Sequence, residues 1–242
     1  MKRLFALLAV TILAACSAGP AFSARVISTL NTIGTEEQRV LVELRDGDGE
    51  LLALDSVPNA TLRDENGSPL GVYPGELVWV VPETQPAYAF VVEIPEAETY
   101  QLTVDGGELG QSPPAGLVAV DRPVQIVAGE VAPPIDGESV TGPVLVVFAS
   151  PDRCPPQSCR PMIEQVVASV ESGDVVSRVV DVFANPDVDD EADLELSPDL
   201  EQWGLISQPW LYAIDTLGVV AAVFEGAVSD DEIADAVELI AG

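Results

Sequence analysis

The chain has 242 residues, with 40 acidic against 10 basic side chains and a formal net charge of −30. So acidic a protein is a poor partner for nucleic acid and does not adhere electrostatically to anionic lipid. The sequence contains no histidine, which excludes His-ligated zinc or copper, haem with a proximal His, and every catalytic triad with a His base. We therefore predict a solvated acidic surface and no cofactor.

The first segment has the features of an export signal. Lys2 and Arg3 precede the apolar run "LFALLAVTIL", which is too short for a membrane-spanning helix, and "LAAC" follows. We predict a signal peptide over residues 1–15. The "LAAC" ending resembles a bacterial lipobox, which implies a lipid on Cys16, a tether over 16–24 and a place on the extracytoplasmic face of the cell membrane. An ordinary signal peptide with a chance cysteine is the alternative. Export permits disulfides.

Residues 25–131 have a β pattern. Short alternating runs ("RVLVEL", "GELVWVV", "YAFVVEI", "YQLTV", "VQIVA") are separated by turn signals such as "RDGDGE" and "VDGGELG". Strands of this length and spacing predict an antiparallel, immunoglobulin-like β-sandwich, serving as a spacer or a substrate-docking module. The stretch over 132–142 is rich in Pro and Gly and predicts a linker.

Two acidic stretches, "DGDGE" and "DVDDEAD", invite a calcium interpretation. Neither has the Gly at position six or the Glu at position twelve of an EF-hand loop. A turn or solvated loop is therefore favoured at both, and no metal ligand is assigned.

Residues 143–242 change to a mixed pattern. "PVLVVFA" predicts a buried parallel strand. "CRPMIEQVVASVE" predicts a helix with one apolar stripe. A strand "VVSRVVDVFA", a short helical piece "SPDLEQWGL" and the strands "QPWLYAID" and "GVVAAVFEG" follow. The last helix, "SDDEIADAVELIA", opens with a capping box of Ser229 and Glu232.

This order, βαβ and then ββα, resembles the thioredoxin fold over about 100 residues, from Gly142 to Gly242. The resemblance implies a cis peptide bond before Pro209 and a position for that proline facing the cysteines. The active-site pattern differs from the family, because Met162 in "CRPM" stands where a second cysteine is usual and Cys154 has appeared upstream. The chain is similar to predicted exported thioredoxin-like proteins with a Cys-x4-Cys loop, in which a β-sandwich often comes first. The predicted fold class is thus α+β, with an Ig-like sandwich and a thioredoxin-like α/β domain.

The cysteine chemistry follows from the helix start. Cys159 is expected at the first turn of its helix, where unpaired N–H groups lower the pKa of a thiol. We predict that Cys159 is the nucleophile and Cys154 the resolving cysteine, with Pro209 and Arg160 completing the site; the opposite order of the cysteines stays open. The predicted partners are thiols and disulfides of exported proteins and an unidentified electron partner.

Positive charge is concentrated at the cysteines. From Gly142 onward there are 20 acidic but only three basic residues, and two of these, Arg153 and Arg160, flank the cysteine pair. We interpret them as countering a negative field that would suppress the thiolate. Simple pairing with Asp152 and Glu164 is the alternative.

Two further alternatives concern activity. Reductases of the thioredoxin type usually carry a buried acid on the strand before the cysteine loop, and "PVLVVFA" has none; the resemblance therefore favours a slow, specialised or oxidising protein over an efficient general reductase. A structural disulfide in a redox-silent binding scaffold, worth roughly 2 kcal/mol for so short a ring, also fits, as do free or metal-binding thiols. For Trp203 and Trp210, which flank Pro209, core packing is favoured over a substrate-facing surface.

Overall fold

The structure is a computed structural model, and it describes residues 21–28, 32–33, 37–81, 83–96, 98–119, 126–153, 159–170, 173–205 and 208–242. The predicted signal peptide, Cys16, most of the tether and Cys154 lie outside the described residues. The strands are β1 (Phe22–Val26), β2 (Thr32–Ile33), β3 (Glu37–Asp46), β4 (Asn59–Arg63), β5 (Pro69–Val81), β6 (Gln85–Glu93), β7 (Thr99–Asp105), β8 (Ala115–Ala119), β9 (Val144–Phe148), β10 (Val176–Val180), β11 (Trp210–Ile214) and β12 (Val220–Glu225). The helices are α1 (Cys159–Val170), α2 (Pro198–Trp203) and α3 (Asp230–Ala241).

Strands β1 to β8 form one sheet in the order β1-β3-β6-β5-β4-β7-β8-β2. The neighbours pair antiparallel, apart from β2, which lies parallel to β8. Strand β5 pairs with β4 up to Pro74 and with β6 from Gly75 onward. Because β1 at one edge also contacts β8 near the other edge, the sheet curls almost into a barrel. Its core includes Phe22, Val40, Val42, Leu44, Leu62, Tyr88, Phe90, Val92, Tyr100, Leu102, Val104 and Leu117.

The predicted fold class, α+β with an Ig-like sandwich and a thioredoxin-like α/β domain, was wrong. The chain is mostly β, with 42% of its residues in strands against 18% in helices, and its first half is one curled sheet. The physical reason lies in β5, which is 13 residues long and pairs with two different neighbours along its length. It therefore joins strands that a sandwich would divide between two layers. The second half has a small sheet with three helices, one of only six residues, and is not a clear thioredoxin α/β domain.

The second sheet has the order β10-β9-β11-β12. Strand β10 is parallel to β9, and β11 is antiparallel to both β9 and β12. Every residue of β9 and β11 is buried, since the sheet is covered on both faces. The cluster on one face contains Leu145, Val147, Cys159, Met162, Val166, Leu211, Ile233, Ala236 and Ile240, from the strands, α1 and α3. The cluster on the other face contains Val146, Phe148, Leu200, Trp203, Trp210, Tyr212 and Ile214, from the strands and α2.

Local signals in the sequence fix two helix starts. The predicted capping box of α3 is confirmed: Glu232 N–H donates to Ser229 Oγ at 3.1 Å, and Ser229 N–H donates to Glu232 Oε2 at 2.8 Å. Helix α2 begins after Ser197, with Pro198 in its first turn, and ends at Gly204 in the left-handed region. Among the described residues, no helix combines the length and apolar character that a bilayer crossing requires.

The segment that connects the two sheets packs against the second one. Gly129 N–H donates to the Val220 carbonyl at 2.8 Å, and Ala132 N–H donates to the Gly218 carbonyl at 2.9 Å. Farther along the predicted linker, Ile135 is fully buried in the core of the second sheet. The predicted strand "VQIVA" begins outside the described residues, and after it Val131 forms an isolated antiparallel bridge with Val219, just before β12.

Arg39 of β3 joins the two halves. Its guanidinium contacts both carboxylate oxygens of Glu232, at 2.7 and 2.8 Å, and donates to the carbonyls of Glu225 and Ala227 at 3.1 and 3.0 Å. Both side chains of the ion pair are mostly buried, with 12% and 13% exposure. An apolar cluster beside it consists of Leu41, Val78, Val80, Ala87, Ala89 and Ala227. The first sheet is therefore fixed to the turn between β12 and α3.

Candidate functional site

The candidate site lies beyond the carboxyl end of β9, where the chain enters the cysteine loop (residues 150–158). The register pairs Phe148 with Trp210, so the residues just before β11 lie beside the start of this loop. Ser150 is fully buried, and its N–H donates to Gln208 Oε1 at 2.7 Å. The loop and the segment that carries Pro209 are thus in direct contact.

Cys159 is the first residue of α1. Its side chain is fully buried in the cluster between the sheet, α1 and α3, and it is disulfide-bonded. Its partner lies outside the described residues. The sulfur of Cys159 is therefore held at a helix start, but it is closed to solvent.

Pro209 follows a cis peptide bond, which confirms the prediction made from the resemblance. The residue is buried, and its carbonyl accepts a hydrogen bond from Gly226 N–H at 2.9 Å. Gly226 lies between the two carbonyls that Arg39 binds. The proline segment is thus tied through one residue to the interface with the first sheet.

Asp181 is a polar group of this region that the sequence analysis missed. Ser150 Oγ donates to Asp181 Oδ2 at 3.2 Å, and Phe183 N–H donates to Asp181 Oδ1 at 2.9 Å. Because Val180 pairs with Phe148 in the parallel register, Asp181 stands at the same end of the sheet as the cysteine loop. The signal that could have found it is the βαβ pattern itself, in which an acid just after the second strand reaches the same edge as the loop after the first.

The two arginines of the loop region differ in their partners. Arg160 Nη2 contacts Asp152 Oδ1 at 2.9 Å, and both side chains are largely exposed, at 53% and 83%. The simple ion-pair interpretation thus holds for Arg160. The Arg153 guanidinium instead donates to the carbonyl of Pro186, at 3.1 and 3.0 Å, and to that of Val188. Arg153 therefore fastens the loop to the chain that follows β10.

The tryptophans belong to the core, as the sequence analysis favoured. Trp203 is completely buried and Trp210 is 2% exposed. The ring of Trp203 packs 4.9 Å from that of Phe148 and 4.8 Å from that of Tyr212, measured between centroids. Within the described part of the chain, Trp203 Nε1 has no hydrogen-bond acceptor. These rings cover the face of the sheet opposite α1, so they offer no surface to a substrate.

The acidic stretches form turns. Asp46 Oδ1 accepts hydrogen bonds from the N–H groups of Asp48 and Glu50, both at 2.9 Å. In the second stretch, Asp190 Oδ1 accepts from Ala192 N–H at 3.0 Å. In both, the acid oxygen binds the chain's own backbone, as the turn interpretation requires. In the portion that the structure describes, no group of three or more acids or cysteines is placed to hold a metal ion.

Two surface cavities lie elsewhere. A groove of about 650 Å³ between α1 and α3 is lined by Gln165, Ala168, Ser169, Asp230, Ile233, Ala234, Val237 and Glu238. A second cavity, of about 560 Å³, lies between residues 52–56 and 106–109 of the first half. Cys159 lines neither of them.

Comparison with known proteins gives weak structural similarities and no match in sequence to a family or a curated protein. No protein-family model matches the chain. No curated protein matches it either. Among solved structures, it is similar to a "thiol:disulfide interchange protein, thioredoxin family protein from Chlorobium tepidum TLS", with 19% identity, coverage of 51% of this chain and 100% of that one, and a TM-score of 0.33. It is also similar to the Lin-41 filamin domain, with 18% identity, coverage of 43% and 98%, and a TM-score of 0.27. Scores this low do not establish a shared fold, so the site has to be interpreted from its own geometry.

Proposed function

We propose that the chain is a thiol–disulfide exchange protein of the thioredoxin type, acting on exported proteins at the outer face of a bacterial cell membrane. One observation carries the proposal: Cys159 is disulfide-bonded at the first residue of α1, at the end of the sheet where Pro209 and the cysteine loop meet. A sulfur at a helix start is favoured as thiolate by the unpaired N–H groups of the first turn. It is therefore a good leaving group in disulfide exchange.

Burial favours the opposite order of the two cysteines from the one the sequence analysis preferred. The cysteine that exchanges with substrate must be accessible to the substrate sulfur, and the Cys159 side chain is fully buried. We propose that Cys154, five residues upstream in the cysteine loop, is both the partner of Cys159 and the sulfur that meets the substrate. Cys159 then acts as the resolving cysteine.

The exchange balances in electrons and protons. A substrate thiolate attacks the Cys154 sulfur, the Cys154–Cys159 bond breaks, and Cys159 leaves as a thiolate that takes up a proton. A second substrate thiolate attacks the substrate sulfur of the mixed disulfide, which forms the substrate disulfide and releases the Cys154 thiolate, protonated in turn. The substrate loses two electrons and two protons and the protein gains them. When an external disulfide re-oxidises the protein, the steps run in reverse. The Cys154 thiolate attacks that disulfide and forms a mixed disulfide, and the Cys159 thiolate then attacks Cys154 and releases the second external thiol.

A redox titration in glutathione buffers tests the proposal. We expect a reduction potential within the range of catalytic dithiols, about −120 to −270 mV. Cys154→Ser should abolish mixed disulfides, whereas Cys159→Ser should accumulate them, because nothing remains inside the protein to resolve them. These trapped species would also identify the client proteins.

The second candidate is a redox-silent scaffold with a structural disulfide. The complete burial of Cys159 favours it, since buried cysteines are commonly inert. A pair that stays oxidised below about −300 mV, with no mixed disulfide from Cys159→Ser, would establish the scaffold and refute exchange.

The location is proposed from the leader sequence. We propose that Cys16 carries a lipid whose two chains hold the protein at the membrane, because the strongly acidic chain has no electrostatic attraction to anionic lipid. Cys16→Ser should move the protein from the membrane pellet to the soluble fraction, with Cys154→Ser as the matched control that leaves partitioning unchanged. Equal partitioning of the two variants would rule out the lipid anchor.

A further inference from the structure

We propose that the groove between α1 and α3 is a docking surface for a basic, amphipathic helix of another protein. The groove has a volume of about 650 Å³, and Cys159 does not line it. The proposal therefore assigns a binding surface separate from the sulfur of Cys159. It specifies the partner by its chemistry, an apolar face bordered by cations.

The floor of the groove consists of small and apolar side chains. Ile233, Ala234 and Val237 line it from α3, and Ala168 and Ser169 line it from α1. On each helix these positions are spaced so that they lie on one face. Ala168, Ser169 and Ala234 are exposed, and small side chains at a helix contact allow the axes to approach closely. The groove is thus shaped to receive a third helix, which would lay its apolar face on this floor.

Acidic side chains border the floor. Asp230 is the first residue of α3, and Glu238 follows about two turns later, which is about 12 Å along the helix axis. Both are exposed. Gln165 Nε2 donates to Asp230 Oδ1 at 3.3 Å, but this amide is neutral and leaves the charge of the carboxylate uncompensated. On the two helices that form the groove, Arg160 is the one basic residue, and it pairs with Asp152.

These charges select the kind of partner. Two carboxylates about 12 Å apart attract a helix whose cations lie two turns apart on one face, which means positions about seven or eight residues apart. A second copy of this chain is a poor occupant, because each copy has a net charge of −30 and like charges oppose association. A basic helix of a different protein combines the apolar contact with charges of opposite sign.

The test measures the binding of a fluorescently labelled helical peptide to the full-length protein by fluorescence anisotropy. The probe is an alanine-based peptide of about 18 residues, long enough to form a helix in water. It carries Lys at two positions seven residues apart, with Leu between them on the same face. The matched control peptide has Glu at both Lys positions.

Four variants of the protein locate the site. Asp230→Asn and Glu238→Gln each remove one charge from the border of the groove. Asp231→Asn is their control, because it removes the same charge from the first turn of α3 at a position that does not line the groove. Ala234→Arg places a long, positively charged side chain on the floor.

We expect the Lys peptide to bind and the Glu peptide to show no binding up to about 1 mM. Asp230→Asn and Glu238→Gln should each weaken binding about two- to fivefold, the effect of one exposed ion pair. Asp231→Asn should stay within about 1.5-fold of the wild type, and added salt should weaken binding of the Lys peptide. Ala234→Arg should weaken it by about tenfold or more, because it adds both a steric clash and a like charge.

Equal binding of the two peptides, equal weakening by Asp230→Asn and Asp231→Asn, or unchanged binding to Ala234→Arg would overturn the proposal, as would no binding of the Lys peptide. Because Asp230 also accepts the Gln165 hydrogen bond, Glu238→Gln repeats the charge test outside the first turn of α3. Sedimentation velocity examines the other occupant: a dimer that Ala234→Arg dissociates would assign the groove to a second copy. Since peptide binding requires no reactive thiol, a failed redox titration would defeat the proposed function without deciding this inference.

Discussion

Replacement of Arg39 by Met tests whether the two halves act as one folded unit. The substitution provides an apolar side chain of similar length but removes all four hydrogen bonds that the guanidinium makes, two to Glu232 of α3 and one each to the carbonyls of Glu225 and Ala227. Loss of one partner of a buried ion pair costs about 3–5 kcal/mol. Glu232 keeps the hydrogen bond from Ser229 N–H and lies at the favourable end of α3, so the lower end of that range applies. We expect Arg39→Met to lower the free energy of unfolding by about 3 kcal/mol.

Urea unfolding, followed by far-UV circular dichroism and tryptophan fluorescence, gives the measurement. The control is Arg178→Met, whose ion pair with Asp136 is 34% and 79% exposed and should cost no more than about 1 kcal/mol. A double-mutant cycle with Glu232→Gln should give a coupling energy of roughly 1.5–3 kcal/mol between Arg39 and Glu232. A cost for Arg39→Met no larger than that of Arg178→Met, or a coupling energy near zero, would refute the interpretation of this contact as the main polar link between the halves.

Two further predictions concern the first half and its contact with the second. Burial raises the pKa of both Tyr88 and Tyr100 above the ordinary value of about 10, so above that pH the unfolded chain loses protons that the folded protein retains. The contribution of the two tyrosines to stability should therefore stay constant between pH 8 and about pH 10 and then fall by up to about 1.4 kcal/mol per pH unit for each tyrosine. Urea unfolding between pH 8 and pH 11 checks this, and an equally steep loss in the Tyr88→Phe/Tyr100→Phe variant would contradict it. Gly226 has φ +78°, and an added Cβ would lie 3.1 Å from Leu41 Cδ1, so Gly226→Ala should destabilise by about 1–3 kcal/mol. Gly116→Ala, where the added carbon meets nothing within 4 Å, is its control, and similar melting temperatures for the two variants would argue against strain at Gly226.

The elements that the sequence predicted well are those set by local patterns. The helix over "CRPMIEQVVASVE", the capping box at Ser229 and the continuous apolar run of β9 are each specified by residues close together in the chain. The cis form of the peptide bond before Pro209 was predicted from the family resemblance, because no local sequence pattern specifies it.

The features that the sequence analysis missed depend on distant partners. Arg39 and Glu232 are separated by 193 positions, and no residue near either one indicates the other. The sequence analysis predicted only the second half of β5, "GELVWVV", because the first half forms through its pairing with β4. Asp181 becomes part of the site only through the parallel register of β10 with β9. The predicted fold class was therefore wrong, and Asp181 was missed, because both depend on which strands are neighbours in the sheets.

The hydrogen bonds from Gly129 to Val220, the first residue of β12, and from Ala132 to Gly218, just before it, affect how the protein can be divided. A recombinant fragment that begins at the proline-rich stretch would lose Gly129 and Glu130, and the backbone of Val220 at the edge of β12 would lose both of its hydrogen bonds to them. Unpaired sheet edges promote self-association. Fragments of the second half should accordingly start upstream of Gly129, and ones that start at Val144 are expected to precipitate or form intermolecular sheets.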